Sequence, residues 1–483
     1  MKKLLLSIIL CIPCHFLMCQ STFTLLISDS TDQRPADLIE LSDHSYILSS
    51  FFYTSTFWES KQKFLKISSN GQIKNEMILE NPDGAAMMST MLPFNDTNIF
   101  CIGDWYTPND KNKIWVSRID SGFNMYWSKM YHTDYLRSNS RKALINSQNQ
   151  IVSATSGATA GYFSRIFLTN FSLVGDSLKS VIDSSASGPM LFDIIEFPGN
   201  GSYLEAVDFY RTFSPGQVIS IDSLLNVIYV DSIPHRVYNC ITMKKATDST
   251  YYLSGTFDSY GDGSDYAIML LDQNNDCLKI SVIGKNDTMD YSGTFQSLDF
   301  VDPNKIFLAG TSNISLSGWF SNQHSWYALS SFDSVLNLRW TKYYGGDAYY
   351  VLTNVVATKD GGAILVGTRY DYLTQNNQLD IFLVKVDENG VITNVENQQF
   401  NKYHDVIIYP NPGSNYLVIE SGQQICGAQF RMISINGKEV IHTSLINRRV
   451  KINTQNLSAG TYFWEILLND RFVESGKWIK LSN

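Results

Sequence analysis

The chain alternates short runs rich in Val, Ile, Leu, Phe and Tyr with polar stretches of Gly, Asn, Asp and Ser. Runs of this kind predict β-strands bounded by turns, and no long stretch carries apolar residues at helical spacing. The expected fold class is all-β.

The runs repeat. One unit reads Gly361-Gly362-Ala363-Ile364-Leu365-Val366-Gly367-Thr368, then a polar loop, then Asp380-Ile381-Phe382-Leu383-Val384-Lys385-Val386-Asp387-Glu388-Asn389-Gly390. The same order recurs at Ile306-Phe307-Leu308-Ala309-Gly310-Thr311 and at Tyr251-Tyr252-Leu253-Ser254-Gly255-Thr256, with weaker copies upstream. Corresponding positions fall near residues 46, 99, 151, 203, 252, 306 and 364, a period of roughly 50 residues that fits propeller blades rather than helical repeats. A seven-bladed β-propeller is expected over 20–400, with four strands to a blade. Phe23-Thr24-Leu25-Leu26-Ile27 resembles a fourth strand without a blade of its own, and is expected to pair into the last blade and close the ring. The Gly of each Gly-Thr pair is expected at a strand end, where the backbone turns or approaches another blade. The repeats resemble those of secreted bacterial propellers with a Gly-Thr strand and an Asp-x-x-Gly turn.

After Asn401 the repeat stops. Tyr409-Pro410-Asn411-Pro412 is a stiff extended lead-in, because each Pro fixes φ and biases the preceding residue away from helix. Asn436-Gly437 and Ala459-Gly460 then mark turns between apolar runs, predicting a small immunoglobulin-like β-sandwich of about seven strands. In order and spacing, Tyr409, Pro410, Asn411, Pro412, Gly437, Lys438, Gly460, Tyr462 and Lys480 resemble the type A C-terminal sorting domain of the type IX secretion system. The resemblance implies a domain over 409–483, preceded by a linker at 401–408, that engages the type IX machinery. It also implies a cargo of a Gram-negative bacterium that is secreted or attached to the outer-membrane surface.

The N-terminus agrees with export. Met1-Lys2-Lys3 followed by the apolar run to Met18 reads as a signal peptide over 1–19, too short to span a bilayer. The mature chain is then expected to hold no transmembrane segment. Cys19 offers a second reading as a lipidation site, against which stands the bulk of Met18. Cys11, Cys14 and Cys19 fall in this leader, and Cys101, Cys240, Cys277 and Cys426 are too scattered for a disulfide framework or a metal site. Cys240 with Cys277 is the one pair worth comparing, and two separate buried thiols are expected.

Of 483 residues, 44% are apolar and 17% charged, enough for a large core. The net charge of −9 argues against nucleic acid as a partner. Residues 401–483 hold 9 Lys+Arg against 6 Asp+Glu, the remainder 28 against 40, giving net charges of +3 and −12.

The sequence offers no catalytic motif. Asp258 to Asp265 departs from a calcium loop at Tyr260 and Met269, and Asp272 to Asp276 and Asp387-Glu388-Asn389-Gly390 read as turns whose side chains bond their own backbone. The single histidines His132, His235, His324, His404 and His442 lack metal-ligand spacing. Nucleophile elbows, phosphate loops and dinucleotide fingerprints are missing, so no catalytic residue, metal ligand or cofactor is assigned. Most Trp are expected in blade cores, while Trp105, Trp319 and Phe320, in loops after the Gly-bearing strand, are the candidate binding rim. The expected function is a non-enzymatic binding or adhesion module for an unidentified surface protein or glycan. The alternative is an exported propeller hydrolase acting on glycans, with carboxylates gathered around the axis.

Overall fold

In a computed structural model, the described residues are 21–53, 59–107, 112–132, 137–159, 162–183, 189–197, 203–209, 216–233, 237–257, 263–284, 288–315, 318–374, 378–392, 406–421, 427–468 and 471–481. The leader with its three cysteines therefore lies outside them, as do residues 258–262 of the Asp-rich loop, Trp58, His235, His404, Cys426 and the side chains of His132 and Cys240. The chain divides into two compact units, Met1–Glu396 and Asn397–Asn483. No helix among the described residues is long and apolar enough to cross a membrane.

In the first unit the described strands form seven sheets. The first sheet runs Asp32–Glu40, Tyr46–Tyr53, Lys61–Ile67 and Ile73–Leu79 in spatial order, all antiparallel. Five further sheets follow the same order, their inner strands being Ala85–Asn95, Arg137–Ile145, Pro189–Glu196, Val237–Lys245 and, in the sixth, the two short pieces Tyr291–Ser292 and Leu298–Asp299. The seventh has Tyr349–Ala357 innermost, then Ala363–Tyr370 and Asp380–Val386, and its outer place is taken by Phe23–Ile27. Phe23 stands opposite Lys385 and Ile27 opposite Ile381, so the first described strand of the chain closes the last sheet.

The apolar cores lie between sheets. Ile39, Ile47 and Phe64 of the first pack with Met88, Ile99 and Trp115 of the second. Similar clusters join each later pair, and Phe23, Leu38 and Leu48 pack with Ile364, Val366 and Leu383 to complete the ring. A sheet that buries both faces against its neighbours reads as apolar at successive positions, as in Ile364-Leu365-Val366.

The glycines that mark the repeat sit within strands, not at their ends as the sequence suggested. Gly367 pairs with Leu352 beside a bulge of the inner strand, and a Cβ there would lie 2.2 Å from the Val351 carbonyl oxygen. Gly310 is as crowded, 2.3 Å from the Tyr291 oxygen. Close approach of the neighbouring backbone is thus the constraint. The Thr311 that follows ties two sheets together, because its Oγ1 accepts the Leu352 N–H of the next sheet at 2.9 Å.

The turns that follow the third strand share one device in the second, fourth, fifth, sixth and seventh sheets. In the turns at Asp120, Asp222, Asp272, Asp333 and Asp387, Oδ1 accepts backbone N–H groups two and four residues on, as from Asn389 at 2.9 Å and Val391 at 2.7 Å. These bonds hold the Asp222 and Asp333 carboxyls below the usual range.

The second unit pairs Val406–Tyr409, Tyr416–Ser421 and Arg449–Asn453 in one sheet, and Glu439–Leu445, Ala428–Ser434, Gly460–Leu468 and Arg471–Lys480 in another. Its first strand begins within 401–408, the stretch expected to be a linker, because the apolar run Val406-Ile407-Ile408 pairs with Ser421, Glu420 and Ile419. Leu417, Ile419, Phe430, Met432, Ile466 and Trp478 fill the core between the sheets.

Candidate functional site

Around the propeller axis the inner strands present charge. Each inner strand from the first to the fifth, and the seventh, carries a bulge, and in three of these the next residue is charged: Asp37, Lys142 and Asp193. A bulge turns the side chain that follows it and frees backbone groups from the ladder. Asp37 accepts the Leu38 N–H at 2.8 Å and, from the second sheet, the Met91 N–H at 2.7 Å. Asp193 repeats this with Ile194 at 2.9 Å and Met243 of the fifth sheet at 2.7 Å. Asp299 takes the Ala357 N–H of the seventh at 2.8 Å and is hydrogen-bonded to Lys244 of the fifth.

Burial pushes the Asp37 carboxyl up to about 6, against the charge of Lys142 and the two N–H bonds. It raises Asp193 in the same way, and lowers the Lys244 ammonium to about 8 against the attraction of Asp193. Lys142 interacts with both Asp37 and Asp193, which are two sheets and one sheet away. The axis therefore holds three carboxylates and two ammonium groups, with the carboxylates each bonded to the backbone of the following sheet. No sequence motif could reveal this, since its successive members lie about 50 to 100 residues apart and meet only through ring closure.

The three residues expected at a binding rim do not come together. Trp105 belongs to the strand Asn98–Tyr106 rather than a loop, packing edge-on against Trp115 with ring centroids 5.0 Å apart. Trp319 and Phe320 do lie in a loop, between Ile306–Ser312 and Trp326–Phe332, and pack beside Tyr349, Val351 and Tyr370 of the seventh sheet and Leu379 just before its third strand. There Phe320 meets the Tyr370 ring edge-on at 5.1 Å.

Trp319 reaches the first sheet. The Arg34 guanidinium lies 5.0 Å from the Trp319 ring and 5.9 Å from the Tyr53 ring. Its Nη2 donates to the Tyr53 hydroxyl at 3.0 Å, which donates in turn to Asp32 at 2.7 Å. Burial raises the Asp32 carboxyl despite those partners. Arg34 and Asp32 carried no signal in the sequence, because a lone charged pair at a strand start looks like a solvated edge.

In the second unit the lead-in motif is fastened to the last strand. Asn411 Nδ2 donates to the Lys477 carbonyl at 2.7 Å, and its Oδ1 accepts the Ile479 N–H at 3.0 Å. Between them Trp478, fully buried, donates its indole N–H to the Pro410 carbonyl at 2.8 Å. Gly413 lies against that ring, where a Cβ would be 2.9 Å from Cζ2. Lys480 is buried and hydrogen-bonded to the Ser414 carbonyl. The Tyr409 hydroxyl bonds Glu420, and the Tyr462 hydroxyl donates to the Ser458 carbonyl at 2.8 Å. Gly437 (φ +78°) and Lys438 form the Asn436-Gly437 hairpin, where only Gly adopts the φ freely. Gly460 (φ +155°) opens the strand that pairs with Lys480.

Cys277 is free and half-buried rather than buried, and Cys101 is free and fully buried. His324 stacks edge-on with Trp326 and His442 pairs with Glu439 at 3.2 Å. Among the described residues no group of three or more His, Cys, Asp and Glu is placed to hold a metal ion.

The secretion system C-terminal sorting domain family matches residues 407–480. No curated protein matches the chain. Among solved structures, PorZ, a surface component of the type IX secretion system of Porphyromonas gingivalis, is 9% identical over 91% of this chain and 69% of its own, with a TM-score of 0.31. A protein of unknown function from Dyadobacter fermentans is 12% identical over 61% of this chain and 94% of its own, at 0.42. A subtype N10 neuraminidase-like protein of a little yellow-shouldered bat isolate is 10% identical over 61% and 92%, at 0.37. The propeller rests on the strand pairing and inter-sheet cores, not on these likenesses. The second unit is a type IX secretion C-terminal sorting domain, and the chain is a propeller-bearing cargo of that system, secreted or attached at the cell surface.

Proposed function

We propose that the first unit is a non-enzymatic binding or adhesion module, recognising a surface glycan or protein through the rim where Trp319 lies over Arg34. The observation that carries this reading is the use made of the axial carboxylates. Hydrolysis of a glycoside by two carboxyls needs one to give a proton and the other to activate water or attack. Asp37, Asp193 and Asp299 are each already bonded to an N–H of the following sheet. The rim supports the binding reading from the other side: an aromatic ring backed by a fixed guanidinium offers both an apolar face and a donor.

One observation favours the exported hydrolase. Asp37, pushed up to about 6, has the proton affinity of a general acid.

The test exposes the exported protein to immobilised surface glycans and extracellular proteins, measuring retention and released reducing ends. Retention that falls in Trp319→Ala, with nothing released, supports the binding module. Undiminished retention in Trp319→Ala removes the rim from the reading. Release of reducing ends that stops in Asp37→Asn replaces it with the hydrolase.

A further inference from the structure

We propose that the outward face of the three-stranded sheet in the sorting unit is the surface gripped by the export machinery, and that the machinery meets it with an acidic protein surface. This rests on the sorting function and adds its contact face and the chemistry of the partner.

The strand alternation separates two faces. Leu417 and Ile419 point inward, at 0% and 1% exposure, while on the other side Tyr416 is 40% exposed and Val418 is covered, at 6%. On the neighbouring strand Ile452 points inward and Arg449 and Lys451 are exposed. The register sets Lys451 opposite Val418 and Arg449 opposite Glu420. The Lys451 ammonium stands 4.0 Å from the Tyr416 ring centroid, and the Arg449 guanidinium 5.9 Å from that of Tyr409. Two long cationic side chains are thus held on aromatic rings, which reduces the rotamer freedom each would lose on binding.

The cationic charge on this face is only partly spent internally. Among the described residues the carboxylate on this face is Glu420, which is hydrogen-bonded to the Tyr409 hydroxyl and lies 3.8 Å from Arg449. Lys451 has no carboxylate in ion-pair contact among the described residues. The outward face of the four-stranded sheet differs: Arg431 lies between Glu439 at 2.7 Å and Glu465 at 3.2 Å, with His442 also on Glu439. A sheet face is broad rather than concave, which suits a protein surface better than a small ligand.

Net charge points the same way. Residues 401–483 carry +3 and the remainder −12. An acidic partner is drawn to the sorting unit and repelled by the propeller, so the field steers it to the correct end of the cargo.

The test is export of the full chain in its native host, read as the ratio of extracellular to periplasmic protein. Arg449→Glu with Lys451→Glu is expected to lower that ratio about tenfold or more, since placing like charges across an interface costs more than about 1.4 kcal/mol. Arg431→Glu on the opposite face should leave it unchanged, and Arg449→Lys with Lys451→Arg should restore most of it. Protease resistance of the retained protein shows that the reversed unit is folded. Normal export of the double reversal overturns the proposal, as does equal loss in Arg431→Glu. A chain lacking 407–480 separates the two levels: if it too is exported, sorting by this unit fails, and not only the choice of face.

Discussion

The carboxylate of Asp37 and the backbone N–H of Met91 meet at 2.7 Å across the gap between the first and second sheets. The bond is charge-assisted, yet the carboxyl is buried enough to be pushed up to about 6. The folded state then binds more protons than the unfolded one between about pH 4 and pH 6, so through this group stability falls as pH rises over that window. Asp37→Asn removes the titration. Its melting temperature relative to wild type should rise from about pH 4 to about pH 7, whatever the offset from changed hydrogen bonding. A constant difference across that range would mean that Asp37 titrates normally.

Lys385 tests the opposite case. Its side chain is wholly buried in the seventh sheet, with Nζ 3.0 and 2.9 Å from the two Asp360 oxygens and 3.0 Å from the Val386 carbonyl. Asp360→Ala strands a buried cation and should cost about 3–5 kcal/mol in urea unfolding. Adding Lys385→Met should recover much of that loss, giving a large coupling in the double-mutant cycle. The Asp360 carboxyl is held low: burial raises it, and Thr358, Lys385 and the Gly362 N–H outweigh burial. Its contribution is therefore present above the ordinary value of 3.8 and lost as pH falls through the lower folded value.

Gly367→Ala should destabilise by about 1–3 kcal/mol or more, because the new methyl meets the Val351 oxygen at 2.2 Å and the Tyr327 hydroxyl at 2.7 Å. Gly310→Ala should behave alike, its obstacle being the Tyr291 oxygen. Urea midpoints equal to wild type would show that the inner strand yields easily beside its bulge.

These positions also show what the chain discloses before folding. The Gly-Thr repeat, the Asp turns and the closing strand Phe23–Ile27 were legible because each depends on neighbours in sequence: alternation, turn chemistry, or an unpaired run. The sorting motif was legible for the same reason, as proline stiffness and hairpin glycines act locally. Asp37 and Arg34 were not. Their partners, Met91 and Trp319, are distant in sequence and adjoin them only once neighbouring sheets pack. Trp105 misled because a Trp after a Gly-bearing strand reads as a loop, whereas that strand continues to Tyr106 and Trp105 pairs with Lys113.

The two ends of the sorting unit are locked together. Asn411 spans Lys477 and Ile479, and Trp478 between them holds the Pro410 carbonyl, so lead-in and final strand close one core. Asn411→Ala leaves the Ile479 N–H and the Lys477 carbonyl without that partner, at about 1 kcal/mol for each exposed bond. Trp478→Ala empties the centre of the core, at about 3–5 kcal/mol. A sandwich of this size has a stability of only about 5–10 kcal/mol, so Trp478→Ala should leave the sorting unit largely cleavable by protease and Asn411→Ala only partly so. Because the two units have separate apolar cores, the propeller fragment should resist protease in both variants, and simultaneous loss of both units would show that the propeller depends on the sandwich for its stability.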